Sequence, residues 1–154
     1  MVPDEIVIVD YSRRYGLELV KMWRESFEQA VRVIDPHPLT QQLRYLEIQV
    51  AAVNHVRVAL DKSSKVIAFM ATTPDTISQL YVHVNHQNRG VGSMLVNIAK
   101  KHSCGRLHLF TFAANENAQR FYERHGFNIV ARGFEEAWQL DDIEYEWSEE
   151  KPTI

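Results

Sequence analysis

The stretch Leu80–His102, LYVHVNHQNRGVGSMLVNIAKKH, joins an apolar strand to an amphipathic helix through a polar turn that carries two glycines. Val91, Met94, Leu95, Ile98 and Ala99 fall at i, i+3, i+4, i+7 and i+8, so the helix begins inside the glycine turn and buries one stripe. The first N–H groups of a helix have no internal partners and carry the positive end of its dipole. Arg89-Gly90-Val91-Gly92-Ser93 is therefore expected to bind an anion, a phosphate first of all.

Outward from this stretch the chain alternates strands and helices. Upstream, Ile6–Asp10 is a β-branched first strand, and Ser12 reads as a cap for a helix over Leu17–Val31 that stops near Asp35-Pro36-His37-Pro38. A second helix is predicted over Leu39–Val53, ending at Asn54. Val56–Leu60 and Val66–Thr73 follow as a hairpin turned by Asp61-Lys62-Ser63-Ser64. Pro74-Asp75 breaks the second of these, and Ile77–Val84 is the strand that enters the glycine turn. Downstream, Gly105 stops the helix and Leu107–Phe112 is a strand, parallel to Ile77–Val84 across a right-handed crossover. Ala113-Ala114-Asn115-Glu116-Asn117 opens a short helix with Ala118, Phe121, Tyr122 and His125 on one face, closed by Gly126. Phe127–Ala131 and Ile143–Trp147 close the chain as strands.

With 154 residues, 45% hydrophobic and 24% charged, a single domain over residues 1–154 is expected, with no repeat or linker. The net charge of -3 disfavours a nucleic-acid or anionic-membrane partner, because such binding needs clustered Lys and Arg. Cys104 stands alone, so no internal disulfide forms, which suits a reducing compartment. Met1-Val2-Pro3-Asp4-Glu5 is acidic and the apolar run after it is too short for a signal peptide, so a cytoplasmic location is expected.

Gln87-Asn88-Arg89-Gly90-Val91-Gly92 fits the Gln/Arg-x-x-Gly-x-Gly/Ala pattern of the GCN5-related N-acetyltransferases, and Asn115–Phe127, NENAQRFYERHGF, resembles that family's later segment. Because the order of elements agrees as well, the resemblance covers nearly the whole chain. Val84 departs from it, standing where the family commonly has proline. Other phosphate motifs fit worse, since no Lys follows the second glycine and no third glycine completes a dinucleotide fingerprint. The fold implied is α/β (α+β): a mixed sheet of about six to seven strands, an antiparallel meander and then a splayed parallel pair, with helices on both faces.

The resemblance implies acetyl-CoA as co-substrate and no metal. Its pyrophosphate would lie against Gln87, Asn88, Arg89, Gly90, Val91, Gly92, Ser93 and Met94. Its pantetheine arm would bond backbone groups of Tyr81, Val82 and Val84, helped by Asn115 and Asn117. A backbone N–H near Val82 would face the developing oxyanion. Tyr122 stands at the family's general-acid position, beside the leaving thiolate. Some members carry a glutamate twelve residues earlier as base; here that residue is Phe110, so His83, Glu135 and Glu136 are the candidate bases. His83 and His86 lack a third ligand at metal spacing.

Phe134–Glu150 holds Glu135, Glu136, Asp141, Asp142, Glu144, Glu146, Glu149 and Glu150 with no Lys or Arg, reading either as a solvated face or as the rim of a pocket for a cationic amine. Trp138, Trp147, Trp23 and Phe27 read as acceptor-wall, core or dimer-contact residues. The expected reaction is acetyl transfer to a primary amine, a small cationic amine ahead of a protein N-terminus, in a monomer or homodimer. The rivals are a non-catalytic acyl-CoA-binding module, which Phe110 favours, and a nucleotide-binding regulatory domain, which rests on the glycine turn alone.

Overall fold

The computed structural model describes residues 5–149, so Met1–Asp4 of the acidic leader and Glu150 of the acidic run lie outside the described residues. The strands are β1 (Val7–Asp10), β2 (His55–Leu60), β3 (Val66–Thr73), β4 (Thr76–Val82), β5 (Arg106–Phe112), β6 (Asn128–Glu135) and β7 (Leu140–Ser148). The helices are α1 (Gly16–Val31), α2 (Leu39–Tyr45), α3 (Val91–His102) and α4 (Glu116–Arg124). All seven strands form one mixed sheet in the order β1-β2-β3-β4-β5-β7-β6.

The first four strands are an antiparallel meander. In the β2–β3 turn Asp61 Oδ1 accepts the N–H groups of Ser63 at 2.8 Å and Lys65 at 3.0 Å, the self-capping that makes Asp a turn residue. Helices cover both faces. Leu95, Val96 and Ala99 of α3 and Tyr122 of α4 pack on Ile67, Met70, Leu107, Ile143 and Tyr145. On the opposite face Leu19, Trp23 and Phe27 of α1 pack on Val58, Phe69 and Ala71. Each large side chain so buried contributes about 2 kcal/mol.

Four boundaries differ from the sequence expectation. Ser12 makes no side-chain cap; it precedes a 3₁₀ turn, Arg13–Tyr15, and α1 starts at Gly16. The second helix is α-helical only over Leu39–Tyr45 and widens into a π-helical turn, Leu46–Val50, after which Asn54 Nδ2 donates to Val50 O at 3.0 Å. β4 stops at Val82 rather than Val84, because Val84–His86 coils into a 3₁₀ turn. The closing hairpin is longer than expected: β6 is an edge strand exposed along most of its length, so it lacks the alternation that would reveal its extent.

The parallel pair carries the consequence for function. β4 and β5 share a single register pair, Thr76 with His108, and His108 N–H donates to Asp75 O at 2.9 Å beside it. Beyond that point β4 stays with β3 on one edge, β5 stays with β7 on its far edge, and the two strands part from each other.

Candidate functional site

The parting of β4 from β5 leaves strand backbone unpaired on the β5 side of β4. His83 N–H donates to Ile67 O of β3 at 2.7 Å. Alternate residues of an antiparallel strand turn their backbone groups to opposite sides, so Tyr81 shares the phase of His83 and pairs with β3, while Leu80 and Val82 face the gap. The Val82 carbonyl is already engaged, by Gln87 Nε2 at 3.0 Å and by the buried Ser26 hydroxyl of α1 at 3.3 Å. Its N–H is left for a ligand. Leu80 went unnoticed in the sequence because a strand's period is legible there but its phase is not. Tyr81 backbone is committed to β3, and Val84 lies past the strand end.

The glycine turn then sets the start of α3. Gly90, at φ +87°, is the residue before the helix, a conformation that any Cβ would strain. Met94 N–H donates to Gly90 O at 3.0 Å, so it is satisfied within the helix. The N–H groups of Val91, Gly92 and Ser93 take no partner among the described residues. A Cβ on Gly92 would lie 3.0 Å from Cζ of Phe121, so the missing side chain there makes room for a ring of α4. Gln87 turns its side chain back to β4, whereas Asn88 and Arg89 are exposed.

α4 brings the later segment to the same place. Asn115 caps it, accepting Ala118 N–H on Oδ1 at 3.1 Å, while its own N–H donates to Phe112 O at 2.9 Å at the end of β5. Its Nδ2 is thereby the group free to reach a ligand. Asn117 is exposed and engaged with Arg120. The ring of Tyr122 is sealed between Phe121, Phe127 and Tyr145, with the residue only 7% exposed. Its hydroxyl has no hydrogen-bond partner among the described residues. Burial, reinforced by the neighbouring Tyr81 hydroxyl, pushes the Tyr122 phenol well above its ordinary value. Burial likewise raises Tyr81, to about 12.

On the α1 face an aromatic wall stands at the mouth of the gap. Phe27 packs 4.8 Å from Trp138 and 6.0 Å from Phe112, and Trp23 lies 6.2 Å from Tyr81. Trp147 belongs to the opposite face, where Lys100 Nζ sits 5.0 Å over its ring.

The three candidate bases fare differently. His83 Nδ1 accepts the Asn85 N–H at 3.2 Å and Nε2 meets Glu25 Oε2 at 3.0 Å, so neither nitrogen offers a free lone pair. Glu136 is exposed on the tip of the β6–β7 hairpin. Glu135 stands opposite Leu140, and directly opposed residues share a face; Leu140 packs in the α1-side core beside Phe112 and Trp138. One Glu135 oxygen, Oε1, accepts Ala137 N–H at 2.6 Å, and Oε2 is free among the described residues.

By the same rule Asp142, Glu144 and Glu146 lie opposite Phe112, Phe110 and His108 on the α1 face. Phe110 is 66% exposed there. His108 lies 3.3 Å from Glu144 and 3.2 Å from Glu146, and Arg106 is 2.7 Å from Glu146. Among the described residues no three His, Cys, Asp or Glu gather as a metal set, and no helix is long and apolar enough to cross a membrane.

A family model for the acetyltransferase (GNAT) domain matches residues 52–129. No curated protein matches the sequence. Among solved structures, the apo form of YjaB from Escherichia coli has a TM-score of 0.77 at 20% identity, over 94% of this chain and 99% of that one. A GNAT-family acetyltransferase from Staphylococcus aureus Mu50 gives 0.74 at 18%, over 93% and 98%. YncA from Salmonella typhimurium, determined with its cofactor acetyl-CoA, gives 0.69 at 15%, over 98% of both chains. At these identities the likeness is one of fold.

Proposed function

Because this chain belongs to the GNAT acetyltransferases, enzymes that use acetyl-CoA, we propose that it moves acetyl directly onto a primary amine, a small cationic amine ahead of a protein N-terminus. The observation that carries this reading is a convergence: strands that part, a helix start whose N–H groups are unpaired among the described residues, and a tyrosine hydroxyl with no partner among them.

The residues divide the work by position. The N–H groups of Val91, Gly92 and Ser93 hold the pyrophosphate of acetyl-CoA, helped by the dipole of α3. Leu80 bonds the pantetheine arm as a partner strand would, and Asn115 Nδ2 donates to it from the other side. Val82 N–H faces the thioester oxygen as negative charge develops there. Gln87 and Ser26 fix the strand end from two sides, which keeps that N–H aimed. Tyr122 lies beside the departing thiolate.

Tyr122 serves first as a hydrogen-bond donor. A phenol near pKa ~10 giving its proton to a thiolate whose acid is near ~8.5 is uphill by about 2 kcal/mol in water. Burial raises the phenol further, so full transfer follows only where the same burial raises the thiol too. The amine approaches on the α1 face, between Phe27, Phe112 and Trp138, and Glu135 Oε2 takes its proton. Asp142 and Glu144 favour a cationic acceptor by long-range attraction, whereas the charge of Glu146 is matched by Arg106.

A panel of mono- and polyamines, followed by release of free CoA thiol, tests the reading. The Tyr122→Phe variant is expected to lose about 10²-fold in kcat while keeping its affinity for acetyl-CoA. Glu135→Gln is expected to lose a similar factor. An unchanged kcat in either variant removes that residue from its role. No thiol release with any amine removes the reaction itself.

A further inference from the structure

His125 closes α4 on the side that faces the start of α3. Its backbone is fixed, with its N–H shared between Phe121 O at 3.2 Å and Tyr122 O at 3.0 Å, and its carbonyl accepting Lys100 Nζ at 2.6 Å. Its ring packs on Phe121 with centroids 4.6 Å apart, and Phe121 is the ring that covers Gly92. From that position Nε2 lies 2.9 Å from Oγ of Ser93, in the first turn of α3. Nδ1 has no partner among the described residues.

A serine hydroxyl has one proton to give and lone pairs to accept with. If His125 accepts that proton, Ser93 presents only lone pairs to whatever lies at the helix start. If His125 Nε2–H donates to Oγ instead, the Ser93 proton is released to point outward. An anion at the helix start selects the second arrangement. We infer that His125 is a positioning residue for the donor co-substrate: its Nε2–H donates to Ser93 Oγ and aims the Ser93 hydroxyl at the pyrophosphate of acetyl-CoA.

This rests on the reading that the pyrophosphate lies at the start of α3. Burial holds the imidazole below its ordinary value, reinforced by the charged groups that face the ring, Lys100 on α3 and Arg124 on α4, both cationic. His125 therefore reaches the phosphate through Ser93 as a neutral donor.

A double-mutant cycle on the full chain tests it, with the dissociation constant for CoA as the readout and the melting temperature recorded alongside. Ser93→Ala and His125→Phe, which keeps a ring on Phe121, are each expected to weaken CoA about fivefold, the size of one net hydrogen bond. The double variant is expected to be no weaker than either single one. His125→Gln, which retains an N–H donor, should recover most of the affinity. If His125→Phe weakens CoA equally in the Ser93→Ala background, or has no effect alone while Ser93→Ala does, the relay is overturned and the pyrophosphate site stands. If Ser93→Ala has no effect, the Ser93 hydroxyl does not contact the pyrophosphate and the relay is overturned; if CoA does not bind the wild-type chain, the pyrophosphate reading falls with it.

Discussion

Tyr122 shows how far a single residue can be read from sequence. Its place on the buried stripe of α4 follows from helical spacing with Ala118, Phe121 and His125. That its ring is packed among Phe121, Phe127 and Tyr145 while its hydroxyl has no partner among the described residues depends on β7, more than twenty residues downstream. The packing has a pH consequence. A group whose pKa is raised in the folded protein stays protonated at every pH below that raised value, so the Tyr122 phenol remains a donor across the working range. With saturating acetyl-CoA, kcat/KM for the amine should rise with pH as the acceptor loses its proton, and should show no falling limb from Tyr122 up to about pH 10. A falling limb near neutrality that disappears in Tyr122→Phe would contradict this. His83 is the opposite case. Its sequence position beside the strand end suggests a base, but Glu25, 58 residues away, together with the Asn85 N–H, occupies both of its nitrogens.

At the scale of elements, the turn between β4 and α3 uses its two glycines for different purposes. Gly90 has a positive φ and precedes the helix, whereas Gly92 lies under Phe121. The sequence shows both only as a flexible, phosphate-type turn. Gly90→Ala should lower unfolding stability by about 1–2 kcal/mol through left-handed strain alone, whatever residue stands at 121. Gly92→Ala should destabilise the wild-type background, where its Cβ meets Phe121 Cζ at 3.0 Å, and do so less with Phe121→Ala. Denaturant unfolding of the four variants decides it, and equal losses at Gly92 in both backgrounds would show that Phe121 is not the cause. The elements themselves were legible where their periodicity is strong, as in α1, β3 and α3. They were misjudged where it is weak. The second helix widens after Tyr45, and the exposed edge strand β6 extends to Glu135 with little alternation to show it.

For the whole molecule, the parting of β4 and β5 separates the face built from α3 and α4, where the acetyl-CoA site is proposed, from the α1 face, where the amine is proposed to approach. The acidic run of the last strands is divided by the same sheet, because alternate residues of β7 point to opposite faces: Asp142, Glu144 and Glu146 lie on the α1 face while Ile143 and Tyr145 enter the core. If that row attracts the acceptor, raising ionic strength toward about 1 M, where screening acts over about 3 Å, should raise KM for a dicationic amine several-fold at saturating acetyl-CoA. KM for a monoamine should move less. Equal shifts would make the acidic run a solvated face and no more.

The sequence by itself determined the order and type of the elements, the helix that begins inside a glycine turn, and the likeness of two short segments to one family. These depend on local periodicity and on the backbone freedom of single residues. The tertiary structure alone decided which backbone groups of β4 face the gap, what Gly92 makes room for, which nitrogens of His83 are free, and where Glu135 points. Each of these depends on a register or a contact between distant segments, and β4 is open at Val82 because its pairing with β5 is confined to Thr76 and His108 at the other end of the strand.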